Sequence, residues 1–142
     1  MSRRRTGVLV LAGVTLCLVT SVAAVACSSG GGGSTGDGNC APEGTALHLQ
    51  ARNTTFDASC LAAPAGQKFT ETFENQDPGV PHSFQILEKD PAQVPDAKLL
   101  FKGKVVSGPL TTTYDVSALN AGTYFFQCQV HPSKMNGTFV VE

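Results

Sequence analysis

From about residue 46 to the C-terminus, short runs rich in Val, Phe, Thr and Tyr alternate with clusters of Gly, Pro and Asp. Apolar and polar side chains take turns along most of these runs, the period of two that marks a half-buried strand, and no stretch carries a convincing helical spacing. The pattern predicts strands over 46–52, 59–62, 67–74, 82–87, 99–102, 111–116, 122–129 and 137–142. Eight short strands on about 100 residues point to an all-β domain, a β-sandwich with Greek-key connections. Residues 89–97, with Pro91 and Pro95, read as a surface loop or a short helical turn.

Alternation also assigns faces. In the first run Leu47 and Leu49 share one side, leaving His48 on the other with Ala46 and Gln50, toward solvent. In the seventh, Tyr124, Phe126 and Cys128 fall on one face, so that Cys128 ends an aromatic row pointing into the core. Glu71 stands between Phe69 and Phe73 on an apolar face, and the pattern offers no reason for it.

Upstream of the strands the chain changes character. Arg3, Arg4 and Arg5 precede a mostly apolar run over 7–26, which reads as an export signal over 1–26. Its length would also suit a membrane-spanning helix, against which Thr15, Thr20 and Ser21 count. The run ends in Ala24-Val-Ala-Cys27, which resembles the lipobox of bacterial lipoproteins, although Ala24 stands where Leu is most typical. The resemblance implies cleavage before Cys27 and a lipid linked to its sulfur, anchoring the protein to the membrane outside the cytoplasm. Residues 28–39, SSGGGGSTGDGN, have no apolar side chain to bury and complete a segment, 27–39, that reads as a lipidated cysteine and its linker. As a coil, such a linker has an end-to-end distance of roughly 20 Å. The folded domain is then 40–142.

With the three arginines gone, the mature chain carries seven Lys and Arg against eleven Asp and Glu, a formal charge of −4. There is no basic stripe for nucleic acid. Mild acidity suits either a positively charged partner or simply a soluble surface. Of the five cysteines, Cys17 lies in the signal and Cys27 at its end, leaving Cys40, Cys60 and Cys128 in the domain. An exported protein meets an oxidising compartment. Pairing Cys40 with Cys60 leaves Cys128 free for chemistry; the alternative is two free buried thiols.

The chemistry concentrates near the C-terminus, where Cys128-Gln-Val-His131-Pro-Ser-Lys-Met135 places a thiol, an imidazole and a thioether within eight residues, and a second imidazole, His82, lies 46 residues before Cys128. Soft thiolate and thioether ligands combined with imidazoles select copper. Two His, one Cys and a weak axial Met are the donor set of a blue-copper electron-transfer site.

The stretch Gly122-Thr-Tyr-Phe-Phe-Gln-Cys128-Gln-Val-His131-Pro-Ser-Lys-Met135-Asn-Gly137 resembles the copper loop of the cupredoxins, near their plastocyanin, amicyanin and pseudoazurin branch. Asn75-Gln-Asp-Pro-Gly-Val-Pro-His82-Ser-Phe resembles the segment bearing the first histidine, and Pro64-Ala-Gly66 the turn before the third strand. The resemblance implies one copper ion held by His82, Cys128 and His131 in a plane with Met135 axial. It makes His131 the electron port, with Val80, Pro81, Val130 and Pro132 as the surrounding contact surface. Two features depart from the family pattern. Three residues separate His131 from Met135, between the two and four of well-known members, and Ser83 follows His82 where plastocyanin-like members carry Asn, so hydrogen bonding around the sulfur is expected to differ.

Other readings of the same residues are open to test. Zinc uses Cys and His but rarely Met. A Cys-His nucleophile needs an open pocket and a third group to orient it. A binuclear copper site needs a second loop cysteine, and an oxidase or reductase needs further histidines, of which only His48 is left, so this chain alone is not expected to be an enzyme. The main competitor is a protein that stores, delivers or senses copper, although a carrier benefits from extra Met or His at the mouth of its site, and only Met1 and Met135 occur. A module that no longer binds metal would not need all four side chains. The expected partner is a redox protein or a copper-handling protein, with the chain acting as a monomer.

Overall fold

The computed structural model describes residues 40–142; the segments read from the sequence as an export signal, a lipidated Cys27 and a linker lie outside the described residues. Among the described residues eleven strands follow one another: β1 Ala46–Arg52, β2 Thr55–Phe56, β3 Cys60–Ala63, β4 Phe69–Asn75, β5 Pro81–His82, β6 Gln85–Leu87, β7 Leu99–Lys102, β8 Val106–Ser107, β9 Leu110–Val116, β10 Gly122–Gln127 and β11 Asn136–Val141. They form one sheet in the order β2-β1-β4-β9, a second in the order β3-β11-β10-β6-β7, and a small ladder of β5 with β8. The pairs β1/β4 and β3/β11 are parallel, so the chain crosses between sheets as hairpins alone cannot.

Apolar alternation drives the two sheets together. Leu47 and Leu49 of β1 and Phe69 and Phe73 of β4 are buried against Phe126, Phe139 and Val141 of the other sheet. Phe69 stacks on Phe139 at 5.4 Å between ring centroids, and Phe56 meets Phe126 at 5.6 Å. This is the sandwich the alternation predicts, and His48 lies on its exposed face. Glu71 follows the pleat as well and is fully buried between Phe69 and Phe73.

The structure departs from the sequence reading in three places. The predicted strand 82–87 is two strands in different ladders, because Ser83 and Phe84 are buried between them and the chain changes partners, from Val106 at His82 to Lys102 and Gln127 at Gln85. The two-residue strands β2 and β8 are too short to leave a periodic signal. The strand 122–129 ends at Gln127, so Cys128 lies just past β10, fully buried together with Phe126, while Tyr124 is only half-buried and donates its hydroxyl to the Asn120 carbonyl.

Cys40 and Cys60 form a disulfide across 20 residues of sequence. It ties the start of the domain to β3. Closing a loop of that size stabilises by roughly 3 kcal/mol in the chain-entropy model. Replacing both cysteines with alanine is therefore expected to lower the unfolding free energy by about 3 kcal/mol, read as a lower denaturant midpoint.

Candidate metal centre

The hairpin of β10 and β11, which pairs Gln127 with Asn136, carries residues 128–135 as its loop. The Cys128 N–H donates to the Met135 carbonyl at 2.8 Å and closes that loop at its base. Within it, the N–H groups of Lys134 and Met135 both donate to the His131 carbonyl, at 3.1 and 3.0 Å, and the Asn136 amide donates to the Pro132 carbonyl at 2.8 Å. The three residues between His131 and Met135 thus make one tight turn, which returns the chain to β11. His82 arrives from the β5–β8 ladder, opposite Val106.

These elements bring three donor atoms together. Cys128 Sγ lies 3.9 Å from His82 Nδ1 and 3.9 Å from His131 Nδ1, and the two nitrogens are 3.1 Å apart. A point equidistant from the corners of such a triangle is about 2.1 Å from each, close to a bond from a transition metal to imidazole nitrogen or thiolate sulfur. His82, Cys128 and Met135 are fully buried. His131 is only half-buried, with Val130, Pro132 and Pro81 exposed and Val80 half-buried. Of the two histidines, only His131 presents an edge toward solvent.

A layer of polar side chains fixes this arrangement. The Ser83 hydroxyl accepts the Gln129 N–H at 3.1 Å and faces Cys128 Sγ at 4.0 Å, linking the histidine strand to the loop. Asn75 is fully buried; its amide donates to the carbonyls of Val80 and Val106, both at 2.8 Å, and so joins the end of β4 to β5 and β8. Asp77 Oδ2 lies 2.8 Å from His82 Nε2. The same carboxylate accepts the N–H of Asn53 on Oδ1 at 2.6 Å and of Thr54 on Oδ2 at 2.8 Å. The Thr54 N–H, chiefly, together with the His82 ring and the Asn53 N–H, holds the Asp77 carboxyl below its ordinary pKa despite its burial.

The donor set fits copper. A thiolate and two imidazoles hold either oxidation state, and a thioether beside them suits copper rather than zinc. The model for the cupredoxin-like domain matches residues 11–141. The chain belongs to this family. Solved structures of blue copper proteins share the cupredoxin fold. Auracyanin A from Chloroflexus aurantiacus is 20% identical with a TM-score of 0.61, covering 70% of this chain and 99% of its own. Rusticyanin from Thiobacillus ferrooxidans is 23% identical with a TM-score of 0.60, covering 78% and 86%. A reduced rusticyanin structure is 27% identical with a TM-score of 0.57, covering 72% and 83%. No curated protein sequence matches this cupredoxin.

Of the residues singled out from the sequence, His82, Cys128 and His131 converge and Ser83 bridges to the sulfur side. Asn75 and Asp77 lie in the segment that resembles the family's first-histidine region, and the sequence alone gives them no role. A signal for them exists: two Asx residues just before Pro78-Gly79, which favour turn-forming side-chain bonds, lie close upstream of a histidine.

Proposed function

We propose that this cupredoxin is a blue copper protein that carries single electrons between redox partners outside the cytoplasmic membrane. The observation that carries the reading is the closed triangle of Cys128 Sγ, His82 Nδ1 and His131 Nδ1, with one corner edge-exposed and the others buried. Copper bound there would supply one-electron chemistry, cycling between copper(II) and copper(I). His82, Cys128 and His131 would hold it, with the Met135 thioether as a weaker fourth donor. The chain's own residues do the rest. Cross-strand pairing and the Asn75 amide hold His82, and loop bonds onto the His131 carbonyl hold the other ligands, so the donors stay in place in both oxidation states. Little rearrangement means fast transfer. His131 is the route for the electron, through the surface of Val80, Pro81, Val130 and Pro132, on which a redox partner would dock.

The Ala24-Val-Ala-Cys27 pattern supports a lipid anchor at Cys27, and the Cys40–Cys60 disulfide is in keeping with an oxidising compartment.

The test is a titration of the full chain, purified in detergent, with copper(II). One equivalent is expected to produce an intense visible band that bleaches on reduction and returns on oxidation. A protein that stays colourless, or binds only copper(I) reversibly, would overturn the electron-carrier reading in favour of copper delivery.

A further inference from the structure

We propose that Asp77 is a positioning residue for the copper centre, fixing the His82 ring so that Nδ1 faces the metal and biasing the site toward copper(II), and that the β1–β2 turn exists to hold Asp77 there. The inference rests on the copper reading above and adds to it a residue outside the ligand set.

The geometry begins with the histidine. With Nε2 at 2.8 Å from a carboxylate oxygen, His82 carries its proton on Nε2, which leaves Nδ1 bare and directed at Cys128 and His131. A carboxylate in this place also makes the imidazole a stronger donor and adds a negative charge close to the ion. Both effects favour the more positive oxidation state.

The turn supplies the second observation. Arg52 pairs with Thr55, so Asn53 and Thr54 alone form the hairpin loop, with φ of 54° and 57°. Positive φ at both positions is the type I′ geometry that suits hairpins. Asn tolerates it, but a β-branched Thr there is a strained outlier of the kind found at functional sites. In this conformation both N–H groups point at Asp77. From the other side, the Asp77 N–H donates to Asn75 Oδ1 at 3.0 Å, and Gly108 leaves the room: a Cβ there would come within 2.6 Å of the Asp77 carbonyl and 2.7 Å of Asn75 Oδ1. Two backbone donors from one sheet therefore orient a carboxylate that orients a ligand of the other ladder.

Asp77→Asn tests this in the full chain, with Glu74→Gln, which removes the half-buried β4 carboxylate that faces His48 instead of a ligand, as the control for charge alone. Asp77→Asn is expected to raise the ratio of copper(I) to copper(II) about tenfold at a fixed ambient potential, a positive shift of about 59 mV for one electron. It should also bind copper about tenfold less tightly. Glu74→Gln, at a carboxylate that touches no ligand and is paired with His48 at 3.5 Å, should change the ratio by less than about twofold. A coloured Asp77→Asn protein whose potential and affinity match those of the control would overturn the role of Asp77 and leave the copper reading standing; a colourless wild type would overturn the copper reading itself. If Asp77→Asn does not fold, nitrogen-15 spectra of the metal-free wild type decide: a proton on His82 Nε2 supports the assignment, and a proton on Nδ1 overturns it.

Discussion

Cys128→Ser is expected to abolish the visible band of the copper-loaded protein completely while leaving the domain folded. Cys128 is fully buried and is the only sulfur corner of the donor triangle, so the charge transfer that gives colour has no other source among the converging atoms. Serine supplies a hard, protonated oxygen in its place, which ligates copper poorly in either state. The fold has reasons to survive. The bond that closes the loop, from the N–H of residue 128 to the Met135 carbonyl, belongs to the backbone, and a serine hydroxyl finds the Ser83 oxygen nearby as a partner. Visible absorption, copper content by mass and far-ultraviolet circular dichroism, measured on the same sample, check all three parts. A Cys128→Ser protein that kept its band would place the coloured centre elsewhere and sink the assignment of the triangle.

The donor set was legible in the sequence because three of its members sit within eight residues and differ chemically from everything around them. The loop between β10 and β11 had to be short for those spacings to matter, and alternation ending at Phe126 already aimed Cys128 inward. The supports of the site were hidden for a physical reason. Asp77 is held by the N–H groups of Asn53 and Thr54, 24 and 23 residues away, and backbone donors carry no mark of residue type. The division of 82–87 was hidden too, since its six residues are all buried and a run without alternation does not say which ladder each part joins. Glu71 was the opposite case: the pleat placed it in the core, and there it lies.

Glu71→Leu is expected to stabilise the metal-free protein at pH 7 by about 3 kcal/mol, and the gain should grow with pH. Both carboxylate oxygens are buried and have no hydrogen-bond partner among the described residues. Burial first, and the Asp57 carboxylate second, push the pKa from 4.5 up to about 8. Below pH 4.5 folded and unfolded chains both hold the proton, and its titration costs nothing. Between 4.5 and 8 the unfolded chain releases it and the folded chain does not, so folding grows less favourable as pH rises, by about 1.4 kcal/mol per unit. Above 8 both forms are ionised, and the penalty stays near about 5 kcal/mol. Leucine removes the titrating group and adds apolar contact with the surrounding Phe69 and Phe73 face. Urea denaturation of both proteins at pH 4, 7 and 9 reads the difference directly. Parallel stability curves would mean that Glu71 is satisfied in the folded state, and would remove the buried acid as the origin of any loss of stability at alkaline pH.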